Sequence, residues 1–182
     1  MTSDWRARHE SEETARDLVV TEAMTWLRTP YHHRAKLKGV GVDCAQFVLA
    51  VYASAGLIED FDTGEYPRDW HLHRSAERYM TNVQRFAGEI EPADAKPGDV
   101  MLFKYGRAFS HGAIVTRYPQ VVHAVVKDGC VVLGDLDRDS DLFGRPAKAF
   151  SFWAFRAPSS SEAIGLENAP SSSEAIGLQN GR

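Results

Sequence analysis

The chain has 182 residues, of which 43% are hydrophobic and 25% charged, and its formal net charge is −4. That length carries one well-formed core and is short for two. The acidic balance excludes a general nucleic-acid binder, which shows a basic surplus or stripe, and the two cysteines form neither a metal set nor a disulfide framework.

The opening stretch MTSDWRARHESEETARDLVV is charged throughout and lacks the apolar segment of a secretory signal. No run long and apolar enough for a membrane span follows, so no membrane insertion is expected and synthesis in the cytoplasm is. Residues 11–28 predict an amphipathic helix, with Ala15, Leu18, Val19, Met24 and Leu27 near helical spacing. TPYHHRAKLKGVGV, with a proline and two glycines, reads as a loop. In GVDCAQFVLAVYASAGLI, Asp43 is an N-cap that places Cys44 at the first helical position. Phe47, Val48, Val51 and Tyr52 make the buried stripe, and Gly56 supplies the stop.

Residues 59–97 are polar and irregular, with a helix over HLHRSAERYMTNVQRFA. The period then changes. Residues 98–105, 111–118, 120–126 and 129–136 read as short strands between turn residues, and 148–156 as a last strand. Helices followed by antiparallel strands predict an α+β domain over residues 1–156, its helices on one side of the sheet. Residues 157–182 hold two near-identical twelve-residue copies, APSSSEAIGLEN and APSSSEAIGLQN, read as a duplicated flexible tail or a docking peptide.

A thiol in the first turn of a helix sits at the positive end of the helix dipole, facing amides without helical partners, so Cys44 is a candidate nucleophile. The acidic Asp43 opposes that effect. Its base must be a histidine supplied by the fold. His111 opens one predicted strand and His123 lies within the next. A hairpin closing at Arg117–Gln120 makes them near neighbours rather than opposite, and a slip or small bulge would bring them together on one face. A second histidine bonded to the first would fix its tautomer. Cys130 is expected to be buried in a strand. His71 and His73 stand without a cysteine or carboxylate at ligand spacing, so no metal site is expected. His32 and His33 read as solvated loop residues. The glycines of KGVGVD lack the lysine and hydroxyl of a phosphate loop.

Three segments in order, TPYHHRAKLKGVGVDCAQFVLAVYASAGL, AKPGDVMLF and SHGAIVTRYPQVVHA, resemble segments of the NlpC/P60 cysteine peptidases, and the likeness covers roughly residues 15–156. The shared features are an aspartate before the helix-starting cysteine, a Pro-Gly-Asp turn opening a strand, a histidine opening the next, and a second histidine twelve residues on. The resemblance implies a papain-like α+β fold that hydrolyses amide bonds of peptidoglycan stem peptides, typically the D-γ-glutamyl–diamino acid bond, without cofactor. It implies Cys44 as nucleophile, His111 as base and His123 as its orienting partner. It also implies Tyr31 lining the site and Asp43 holding the free amine of the substrate's first residue. Two departures stand out: Ala45-Gln46 replaces the usual Ser-Gly, and the segment from Tyr31 to Cys44 lacks the usual Trp-Gly-Gly. The insert YPRDWHLHRSAERY resembles the phage-tail branch, which implies a place on a virion tail and tail proteins as partners of residues 157–182. The competing readings are a thiol amidase or acyltransferase on another amide or ester, and a catalytically silent tail structural protein.

Overall fold

The computed structural model describes residues 9–64, 66, 77–138 and 141–155. The expected tail and the pair His71 and His73 lie outside them. Helix α1 (Glu12–Thr25) starts at Ser11, whose hydroxyl accepts from the Thr14 amide at 3.1 Å. Its buried side is Ala15, Val19 and Ala23, continued by Trp26, whereas Leu18 and Met24, expected inside, are exposed. Arg16 anchors this helix. Its guanidinium donates to Asp99 at 3.0 Å and to the Pro97 carbonyl at 2.7 Å, and it stacks on Trp153 at 3.8 Å.

The segment expected to be loop carries a small ribbon, β1 (Lys36–Leu37) against β2 (Gly41–Val42). Helix α2 (Cys44–Ser54) is buried at every position from Cys44 to Tyr52, not along one stripe. It ends in a Schellman closure: Leu57 N–H donates to Tyr52 O and Gly56 N–H to Ala53 O, both at 3.0 Å, with Gly56 at φ +72°. Helix α3 (Glu77–Gln84) occupies the described part of the helix expected over residues 71–87.

Strands β3 (Gly88–Ile90), β4 (Val100–Tyr105), β5 (Ala108–Arg117), β6 (Gln120–Val125), β7 (Cys130–Asp135) and β8 (Ala147–Ser151) form one antiparallel sheet in the order β3-β8-β4-β5-β6-β7. Strand β3 had no counterpart in the sequence reading; three residues are too short for an alternation to register. The last predicted strand stops at Ser151 and turns into a 3-10 turn at Phe152–Ala154.

The alternation along β5 and β6 separates two faces. Ile114, Val122 and Ala124 join the core formed with α1, α2 and α3. Ala113, Val115 and Val121 join a second cluster with Met101, Phe103, Ala149, Ala95 and Leu142, closed by turns rather than helices. The three helices thus lie on one side of a six-stranded antiparallel sheet, as the α+β reading expects.

Gly112 on β5 lets α3 approach. A Cβ there would fall on the Tyr79 hydroxyl and come within 2.7 Å of its Cζ. Tyr79 is buried, and its hydroxyl donates to the Cys44 carbonyl at 2.9 Å. Gly112→Ala is therefore expected to lower unfolding stability by about 1–3 kcal/mol, read as a shifted urea midpoint. An unchanged midpoint would mean that Tyr79 swings aside freely.

Candidate active site

Asp43 has extended backbone, and its Oδ1 accepts from the Gln46 amide at 2.9 Å. This cap leaves the Cys44 and Ala45 amides as first-turn donors outside the capping bond. Cys44 opens onto a cleft of about 440 Å³ whose walls include Tyr31, Tyr105, Ser110, His111, Val125, Lys127 and Asp141. Its Sγ makes a weak bond to the Ser110 carbonyl at 3.7 Å.

Ser110 is the extra residue of a bulge. Phe103 pairs with His111 and Lys104 with Phe109, leaving Ser110 between them. The expected "FS" turn is therefore inside β5, and His111 is its fourth residue rather than its first. On the other side of β5, Ala113 faces His123. The β5–β6 register shifts by one residue between Val115 and Arg117, the small bulge the sequence reading called for, and this makes His111 the diagonal neighbour of His123 on the same face. The rings meet edge to face at 5.0 Å, and His111 Nε2 lies 2.7 Å from His123 Nδ1. In the tautomer in which Nε2 of His111 donates in this bond, its Nδ1 is left as the basic nitrogen. His123 is 1% exposed and lies against Gly134, where a Cβ would come within 2.7 Å of its Nε2. Arg145 stacks on Tyr105 at 3.8 Å, and Tyr105 in turn lies 5.2 Å from His111.

Tyr31 is held from both sides. Its N–H donates to the Gly129 carbonyl at 2.7 Å, the Pro30 carbonyl accepts from Val42 at 2.9 Å, and Pro30 bridges Cys130 at the head of β7. Cys130 is half-buried rather than buried, and both cysteines are free.

Cys44, His111 and Tyr31 thus share one cleft, and His123 stands behind His111. Asp43 does not line that cleft. It is 2% exposed, and its Oδ2 accepts from the Arg34 amide and the Tyr66 hydroxyl, each at 2.7 Å, with His33 Nδ1 at 3.6 Å. His33 is accordingly no solvated loop residue, although His32 is exposed. Gln46 Nε2 bonds Thr63 Oγ1 at 2.8 Å and Tyr66 Oη at 3.3 Å. The sequence reading missed Tyr66 and Tyr79, and gave Gln46 and His33 no part around Asp43. An aspartate can be recognised as a cap from its place before a helix, but nothing in local spacing marks a tyrosine 23 residues away as its partner.

The electrostatics work against the dipole effect at Cys44. Burial, then the adjacent Asp43 carboxylate, push the Cys44 thiol up to about 12; the Gly112, Cys44 and Ala45 amides pull the other way and are outweighed. Burial, then His123 and Arg145, hold the His111 imidazole well below its ordinary value. Both groups lining the cleft are therefore driven toward their neutral forms.

The sequence profile of the NlpC/P60 family matches residues 28–139. The chain belongs to the NlpC/P60 family. Among curated proteins, the gamma-DL-glutamyl hydrolase of Bacillus subtilis (strain 168) is 24% identical over 124 residues, covering 66% of this chain and 26% of that protein. The chain spans about a quarter of that relative's length. The solved NlpC/p60 domain of the peptidoglycan hydrolase SagA superposes with a TM-score of 0.51 at 22% identity, over 73% of this chain and 96% of that one. NlpC2 from Trichomonas vaginalis gives a TM-score of 0.55 at 16% identity, over 75% and 45%. The peptidoglycan hydrolase RipB from Mycobacterium tuberculosis gives 0.52 at 19%, over 77% and 65%. These structural likenesses share the NlpC/P60 fold seen here.

The neutral pair has a measurable consequence. In a Cys130→Ser protein, the alkylation rate of Cys44 by iodoacetamide is expected to keep rising beyond the ordinary thiol value of 9.0, because Cys44 is pushed above it. The His111 ring signals in NMR should stay unprotonated across about pH 5 to 8. An alkylation plateau near neutrality would mark a preformed thiolate and contradict this picture.

Proposed function

We propose that this NlpC/P60 chain is a cysteine peptidase that hydrolyses amide bonds of peptidoglycan stem peptides, at the D-γ-glutamyl–diamino acid bond. The observation that carries the reading is the grouping at the start of α2. Cys44 and His111 share one cleft, and His111 is bonded through Nε2 to His123 at 2.7 Å. Family membership and the B. subtilis relative's glutamyl hydrolase name support the substrate class.

In this mechanism the Cys44 sulfur attacks the scissile carbonyl carbon while its proton passes to Nδ1 of His111. The oxyanion of the tetrahedral intermediate is met by the first-turn amides of α2. The C–N bond breaks as His111 passes the proton to the leaving nitrogen, giving a thioester. Water then attacks the thioester with His111 again as base, releasing the acid and restoring the thiol. His123 keeps the His111 ring in the tautomer that accepts at Nδ1. Tyr31 lines the cleft beside the sulfur, where a substrate backbone would pass.

The test is digestion of purified cell wall with products identified by mass. Fragments ending in γ-glutamate support the reading, and their absence from an active preparation overturns it. Cys44→Ala is expected to abolish turnover with an unchanged melting temperature. His111→Ala should lose about a hundredfold to ten-thousandfold in kcat/KM, and His123→Ala should remain measurably active.

Carriage on a phage tail or tail-like particle is the finer part of the proposal. It rests on the likeness of residues 66–79 to that branch and on the duplicated segment at 157–182, whose Ile and Leu pairs offer anchors to tail proteins. A chain ending at Ala157 is expected to keep its melting temperature and its rate on small peptides while failing to join the particle. Loss of the peptide rate on truncation would count against a docking role.

A further inference from the structure

A carboxylate recognises an ammonium group only through an oxygen with an open lone pair facing the ligand. The position that the family resemblance marks for that task is Asp43, and here it is 2% exposed with both oxygens already accepting hydrogen bonds. Oδ1 takes the Gln46 amide at 2.9 Å. Oδ2 takes the Arg34 amide and the Tyr66 hydroxyl, both at 2.7 Å, and faces His33 Nδ1 at 3.6 Å.

The phenol is itself held in place. Gln46 Nε2 lies 3.3 Å from its hydroxyl and is anchored on Thr63 at 2.8 Å. His33 meets the Tyr66 ring edge-on at 5.1 Å, and its Nε2 lies 3.0 Å from the Tyr66 carbonyl oxygen. Gln46 stands where the resemblance expects glycine, so its side chain occupies space that a glycine leaves open. Burial and the Asp43 carboxylate hold the Tyr66 phenol well above its ordinary value, so it remains a donor to Asp43 at any working pH. The carboxylate that does line the cleft, Asp141, is paired with Lys127 at 3.3 Å.

We propose that the Tyr66 hydroxyl, locked on Asp43 by Gln46 and His33, takes the place of a substrate ammonium, so that this site accepts stem peptides whose first residue is N-acylated, as in strands still joined to their glycan. Tyr66 is a specificity-determining residue in this account, and Asp43 a positioning residue that caps α2 and clamps the loop from His33 to Arg34. The proposal rests on the stem-peptide reading above. It also fits an enzyme that meets intact wall, where the stem amine is blocked by the lactyl group of the sugar.

The experiment uses the full chain and two synthetic stem peptides identical except for a free or N-acetylated first amine. Comparable kcat/KM values, or a preference for the acetylated peptide, are expected. Tyr66→Phe keeps the ring, opens one lone pair of Asp43, and should shift the ratio toward the free amine by about tenfold, the worth of one charge-assisted hydrogen bond. A tenfold or greater preference of the unmodified protein for the free amine overturns the proposal. So does a ratio that Tyr66→Phe leaves unchanged in a folded protein. Calorimetric titration of Cys44→Ala with both peptides separates the two readings. Binding of both with equal affinity and no turnover by the unmodified protein removes the peptidase reading and supports the amine-blind site. A tenfold tighter Kd for the free amine overturns the proposal whether or not turnover occurs, and binding of neither overturns both.

Discussion

The Asp43 carboxylate is 2% exposed and takes three short hydrogen bonds from three stretches of chain: the first turn of α2, the backbone at Arg34, and Tyr66. A charge in that position is costly unless every acceptor site is answered, and once answered it is costly to disturb. The active-site corner depends on it. The same group that starts α2, and so aims Cys44 at the cleft, also sets the path of residues 31–43 and fastens Tyr66 over the helix start. Arg34, a non-glycine at φ +64°, is held in that conformation with its amide on Asp43.

One carboxylate beside the nucleophile also has an electrostatic cost. It adds to burial in raising the Cys44 thiol, while burial, His123 and Arg145 lower His111. Both partners are driven to their neutral forms, and the positive end of α2 does not reverse this. The helix dipole contributes fractions of a charge at the rim of the helix, whereas desolvation acts on the full charge of a thiolate. The first-turn amides remain well placed for a different task. In the proposed mechanism they meet a developing oxyanion, for which no proton need have left in the resting state.

His111 is placed by sheet geometry. Ala113 opposite His123 sets the β5–β6 register, and the diagonal across it gives His111 its partner on the same face. The bulge at Ser110 alters the path of β5 just before His111 and presents the Ser110 carbonyl to the Cys44 thiol at 3.7 Å. His123 then has the character of a core residue. It lies on the sheet face away from the helices, where the absent side chain of Gly134 leaves room for its ring.

Much of this was legible along the chain because it is local. An aspartate before an apolar run marks a cap and therefore the position of Cys44; alternation marks β4 to β7; and a tight connection at Arg117–Gln120 limits how far apart His111 and His123 can lie. The sequence by itself determined those elements, and with them the candidate nucleophile Cys44 and the two candidate histidines. It could not show which face of α1 would be buried, since Leu18 and Ala15 are both apolar and only contact with α2 and the sheet selects between them. Nor could it show β3, whose three residues are ordered by pairing with β8 far along the chain. The protonation of the Cys44–His111 pair and the engagement of Asp43 by Tyr66 and His33 were decided by tertiary structure alone. Desolvation and hydrogen-bond saturation depend on every atom gathered around a group, and those atoms come from segments that spacing along the chain does not relate.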